Sequence, residues 1–343
     1  MKTYIKLILF FSLAISCTKN PIFNPGKYTL GGGVFILNEG NFRAGNGSLS
    51  FYSYDSSKIY NDLFYSVNGR PLGDVPNSMI IREEKAYIVV NNSGKIEVID
   101  NSTLESKATI SGLVSPRNLA IVNNSKAYVS SLYSDSVTII DIFSNSITGY
   151  INLRRSSEAI IIAGNKAYIS NWMGGKEIMV INTLNNQVVD SIEVGNEPES
   201  MVLDKNGRLW VLCNGGWIRE NFAKLVEINI GTDQVQQEYQ FPTIQASPSC
   251  LRIDSFGQTL YYLDNGVRKM DINLGKLPPT VLIPESGAFY KIAVNPANGD
   301  IFISDAGDYT QKGYVLLYKN DGTFVSKERA DIIPASMCFK LRY

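Results

Sequence analysis

The chain has 343 residues, 44% of them hydrophobic and 11% aromatic, with 32 basic residues, 32 acidic residues and no histidine. This composition supports a large packed core and excludes a disordered chain. It shows no basic stripe of the kind a nucleic-acid partner requires, and without histidine there is no Ser-His-Asp or Cys-His arrangement and no imidazole metal site.

The chain opens with MKTYIKLILFFSLAISC, in which Lys2 and Lys6 precede an apolar run that ends at small Ser16 and Cys17. That is a secretory-signal pattern, too short for a permanent span of about 20 apolar residues. Ala14-Ile15-Ser16-Cys17 resembles a loose bacterial lipobox, which implies cleavage before Cys17 and a lipid on its sulfur. A plain secretory signal with an incidental cysteine is the alternative. Residues 1–16 therefore read as a lipoprotein signal peptide, 17–30 as a lipid-anchored spacer and 31–343 as one monomeric domain that meets a membrane only through its anchor. Loss of residues 1–16 removes two lysines and no acid, leaving 30 basic residues against 32 acidic ones.

From Gly33 onward the chain repeats itself. KAYIVVNNSGKIEVID at Lys85, KAYVSSLYSDSVTIID at Lys126 and KAYISNWMGGKEIMVIN at Lys166 are one unit, spaced 41 and then 40 residues apart. Looser copies begin at Arg208, Thr259 and Asp300, and GVFILNEGN at Gly33 precedes them all, making seven. About ten residues before each of the last six stands a second apolar strand, at Pro76, Pro116, Ser157, Pro198, Pro248 and Phe289. The first copy lacks one, and its counterpart is PASMCF (334–339) at the far end of the chain. Short strands between Gly, Asn, Asp and Ser turns, repeating at roughly 40 residues, predict four-stranded propeller blades. A β-sandwich pair or a β-helix would not need its last strand to complete its first unit. The predicted fold is all-β, a seven-bladed β-propeller whose C-terminal strand joins the first blade and closes the ring.

With the strands of a blade lettered A to D from the centre outward, the B-to-C and D-to-A loops open on one face. Loops on a rigid scaffold are the usual carriers of function. The B-to-C loops carry Asn38, Phe42 and Arg43 in the first blade, Asn92 in the second, Tyr133 in the third, and Asn171 with Trp172 in the fourth. Asn214, Trp217 and Arg219 follow in the fifth and Tyr309 in the seventh, while Asn77, Arg117 and Tyr290 stand on the D-to-A side near the channel mouth. Aromatic and amide groups thus gather on one rim, as in a small-molecule site. For any single asparagine, ordinary turn chemistry is the competing role.

Glu158, Glu197 and Glu199 are close enough in this register to approach one another, either as solvated rim acids or around a divalent cation. No phosphate-loop motif occurs. Cys213, Cys250 and Cys338 sit in apolar contexts that suit buried free thiols, one strand-to-strand disulfide being the alternative.

GGGVFILNEGN, following the predicted lipid cysteine, together with the KAYxxxN repeats, resembles the YVTN/YncE-like propellers and, within them, the Bacteroidetes lipoproteins of BtuG type. The resemblance spans the chain from about Gly31 to its end. It implies a non-enzymatic, lipid-anchored capture protein that needs no cofactor, binds cobalamin or a related corrinoid as ligand, and delivers it to a TonB-dependent outer-membrane transporter. It implies an outer-membrane lipoprotein at the cell surface. Thr18-Lys19-Asn20-Pro21, in place of the acidic residues common after such a cysteine, leaves the periplasmic face open. A corrinoid offers apolar faces ringed by amides, which an aromatic and amide rim suits. Two other functions stay open: an envelope protein-interaction scaffold, and a metal-dependent enzyme of the propeller-lactonase kind.

Overall fold

A computed structural model describes residues 31–341; the predicted signal peptide and Cys17 lie outside them. Seven four-stranded antiparallel sheets form the chain's blades. Six are continuous in sequence, with inner strands Pro76–Arg82, Pro116–Ile121, Ile160–Ala163, Pro198–Leu203, Ser249–Ile253 and Phe289–Val294. The first blade instead takes its inner strand from Pro334–Lys340, which pairs with Gly33–Asn38 from Gly33↔Lys340 to Asn38↔Pro334. The seven-bladed propeller and its closure by the C-terminal strand are therefore as the repeat predicts.

Why the second strands read as unbroken apolar runs follows from the packing. In KAYIVV, Ala86, Ile88 and Val90 face the first blade while Tyr87 and Val89 face the third. Side chains alternate across a strand, so a sheet covered on both faces needs apolar residues at every position. The core accordingly divides into seven clusters, each shared by two neighbouring blades. The outermost strands are half solvated; Gln187–Glu193 is exposed at every position but Ile192.

In the three blades that carry the KAY repeat, its Lys or Tyr fastens the blade to the next. Tyr168 donates its hydroxyl to Asp233 Oδ1 at 2.6 Å and to the Ile230 carbonyl at 3.2 Å, and Lys166 pairs with the same aspartate. Lys126 donates to Asn186 Oδ1 at 2.7 Å, and Tyr87 reaches the Ile142 carbonyl at 3.4 Å. Each of these bonds runs from a second strand to the outer turn of the following blade. A further clasp joins the first two blades, where the helix Leu63–Asn68 buries Leu63 and Phe64. Just beyond it, Arg70 bonds Glu97 at 2.6 Å, and Lys95 bonds the same carboxylate at 3.0 Å. Burial raises the Glu97 pKa, but bonds from Arg70, Ser106 and Lys95 outweigh it and hold the group below its ordinary value.

Two outcomes follow. A chain ending at Ile333 leaves the first blade without its inner strand, so we expect loss of the cooperative melting transition, with association visible by size-exclusion chromatography. Glu97→Gln should cost about 1 to 2 kcal/mol at neutral pH, because it weakens the charged hydrogen bonds from Lys95 and from the solvent-screened Arg70. A depressed carboxylate stabilises above its unfolded pKa, and that contribution disappears as pH falls through the folded value. The gap between variant and wild type in urea unfolding should therefore narrow as the pH falls below the ordinary carboxylate range.

Candidate functional site at the channel mouth

The inner strands begin with a repeated irregularity. Pairing with the neighbouring strand skips residues after Pro76, Pro116, Pro198, Ser249, Phe289 and Pro334. The bulged positions include Asn77, Arg117, Glu199 and Tyr290, and a bulge re-aims the side chain it carries. Here it delivers those four side chains to the central channel. Val75, Ser115, Glu197 and Ile333, each directly before a proline, take φ between 42° and 57°, a conformation that costs energy in β-branched residues. Their carbonyls accept the N–H of Asn91, Leu132, Asn214 and Glu39 respectively, at 2.8 to 3.2 Å. In these four blades the bond ties the D-to-A loop to its B-to-C loop and holds both at the mouth.

The result is a cavity of about 430 Å³ lined by Asn77, Arg117, Trp172 and Tyr290 together with Glu39, Asn118, Glu158, Glu199, Arg252 and Lys291. Its polar groups are cross-connected between blades. Asn77 Nδ2 donates to the Arg117 carbonyl at 2.7 Å, and Asn118 Nδ2 to the Glu158 carbonyl at 3.0 Å. Arg117 grips Glu158 through Nε at 2.7 Å and Nη2 at 3.0 Å. The Cys250 N–H donates to Glu199 Oε2 at 2.8 Å, and the Tyr290 hydroxyl to Glu39 Oε1 at 2.9 Å. Burial pushes the Glu39 carboxyl up, with Tyr290, Lys291 and Arg117 pulling against it. Burial also works against Glu199, but Lys291, Ser200 and the Cys250 N–H hold it below the carboxylate range.

The other residues singled out from sequence divide into rim and scaffold. Tyr309 packs edge-on to Tyr290, ring centroids 5.6 Å apart, and extends the aromatic wall outward. Phe42, with Arg43 stacked on it at 5.1 Å, Tyr133 (70% exposed) and Trp217 (76% exposed) stand on loop tips outside the cavity lining. Arg219 lines a separate, smaller hollow and bonds the Gly216 carbonyl. Asn38 is wholly buried, donating to Ser50 Oγ at 2.8 Å and accepting from the Asp331 N–H. Asn171 is buried against Ser156, Asn214 caps the Gly216 N–H, and Asn92 bonds Asp74. Asn214 thus serves its own turn, and the other three tie strands and loops together.

Glu158 and Glu199 line the cavity and Glu197 does not; among the described residues no group of three metal-binding side chains assembles. All three described cysteines are free thiols, Cys213 and Cys250 buried. Sequence reasoning did not single out Arg252 and Lys291. The signal was a lone charge inside each of two otherwise apolar inner strands, SCLRI and FYKIAV, which have no solvent to face except the channel.

Fold and site together define a seven-bladed propeller with a polar cavity at the mouth of its channel. The chain belongs to the DUF5074 family, described as a domain of unknown function, which matches residues 32–339. No curated protein matches it. Among solved structures it is similar to a quinonprotein alcohol dehydrogenase-like protein from Bacteroides thetaiotaomicron, at 17% identity and a TM-score of 0.70 over 90% of this chain and 78% of that one. A functionally unknown protein from Desulfotomaculum acetoxidans gives 14% identity and a TM-score of 0.69 over 90% and 99% of the two chains. The periplasmic gluconolactonase PpgL of Pseudomonas aeruginosa gives 11% and 0.66 over 89% and 99%. At these identities the likeness is one of fold.

Arg117→Gln should leave the Glu158 carboxylate without its cation and cost about 3 kcal/mol, whereas the double variant with Glu158→Gln should recover most of that. Urea unfolding of the two variants measures the difference.

Proposed function

We propose that this protein is a lipid-anchored ligand-capture propeller of the outer membrane that holds cobalamin or a related corrinoid across its loop face. It performs no chemistry on the ligand and passes it to a TonB-dependent transporter at the cell surface. The observation that carries this reading is the make-up of the mouth, where Trp172 and the Tyr290–Tyr309 pair stand beside the amides of Asn77 and Asn118. Flat apolar contact interleaved with hydrogen-bonding groups suits a macrocycle edged with amides. A corrinoid is too large for a cavity of about 430 Å³, so in this reading its body lies over the mouth, and the exposed rings of Phe42, Tyr133 and Trp217 are further candidate contacts.

Capture without turnover is supported by how the acids are engaged. Glu158 is held by Arg117, Glu199 by the Cys250 N–H and Lys291, and Glu39 by Tyr290. These three cavity carboxylates are thus already engaged by cations and donors.

Calorimetric titration with cyanocobalamin should give sub-micromolar, one-to-one binding. Trp172→Ala should weaken it about tenfold while leaving the melting temperature unchanged, as loss of one aromatic contact implies. Absence of both heat and a thermal shift would overturn the corrinoid reading and favour an envelope interaction scaffold.

A further inference from the structure

The charges lining the cavity are unevenly paired. Arg117 is committed to Glu158 through two nitrogens. Lys291 Nζ stands 3.6 Å from Glu199 Oε1, beyond hydrogen-bond length, and no acceptor among the described residues takes a hydrogen bond from it. Arg252 donates from Nη1 to the Leu251 carbonyl at 2.8 Å and has no carboxylate at ion-pair distance among the described residues. Its remaining guanidinium donors are uncommitted. Lys291 and Arg252 both act on Glu199 and repel each other, so one carboxylate faces two cations. The third acid, Glu39, has its carboxyl pushed up by burial, which outweighs the pull of Tyr290, Lys291 and Arg117.

A half-buried lysine and arginine with spare donors, in a cavity lined by low-dielectric strands, have the donor geometry for an oxyanion. Guanidinium matches carboxylate and phosphate through paired N–H groups, and ammonium adds a point charge. We infer that Lys291 and Arg252 form an oxyanion subsite in the channel throat, which receives a carboxylate or phosphate group carried by the captured ligand. The inference rests on the ligand-capture reading of this face: the body of the ligand lies on the aromatic rim while its anionic substituent enters the cavity. It also explains why the mouth keeps two under-paired cations despite their mutual repulsion.

The test uses the full chain in detergent, titrated calorimetrically with inorganic phosphate and separately with succinate at matched ionic strength. Saturable binding of either probe is expected, weakened about tenfold by Arg252→Gln and by Lys291→Gln, as loss of a charged hydrogen bond implies. Lys107→Gln, which removes an exposed cation away from the cavity, should change nothing. Arg252 carries no ion pair, so its variant should fold normally, and its melting curve verifies this. Phosphate alone, or succinate alone, identifies which oxyanion the subsite prefers. If neither probe saturates, or if both variants bind as wild type does, the inference is overturned. Oxyanion binding with no response to cyanocobalamin removes the corrinoid reading and keeps the subsite, whereas corrinoid binding with no oxyanion response removes only the subsite.

Discussion

Everything in this molecule depends on the burial of both faces of every blade. A four-stranded sheet with apolar residues at successive positions has no stable existence alone; it must be flanked on each side. Seven such sheets meet the requirement only by closing on themselves, which is why the core consists of seven interfaces rather than one centre. Hydrophobic packing is non-directional, so it does not fix how one blade is rotated against the next. At three of these interfaces the Lys and Tyr clasps, each aimed at a particular turn of the neighbour, supply that direction.

The same closure creates the channel and sets what it can contain. The bulges at the start of the inner strands give up regular pairing there, and in return side chains that would lie between blades turn inward. Because the amides and acids at the mouth are bonded across blade boundaries, the cavity is held in shape before any ligand arrives. Such pre-organisation lowers the ordering cost that binding would otherwise incur.

How much of this was legible in the chain differs by level. The blades were legible because a buried two-faced strand and its turn residues leave a periodic trace, and the displaced PASMCF segment marked where the ring closes. The placement of Asn77, Arg117, Trp172 and Tyr290 at the cavity was legible from register, since the face on which a residue emerges follows from its place in the repeat. That Asn38, Asn171 and Asn214 spend hydrogen bonds on the scaffold was not legible, because an asparagine bonded to its own framework and one open to solvent occupy the same kind of position in the sequence. Arg252 and Lys291 were obscured by the apolar strands around them. The clasping role of Lys and Tyr was invisible for another reason: it depends on which turn of the next blade lies opposite, and sequence spacing alone does not give that.

The strand that completes the first blade is the last to be made. Gly33 and its partner Lys340 lie at opposite ends of the domain, so the first-formed repeats wait, with one flank open, for the final segment to emerge. Pairings so distant in sequence form slowly, and the waiting state exposes strand edges prone to association. The order of synthesis thereby places the exposure of those edges before the ring closes, and closure needs the first and the last of its repeats together.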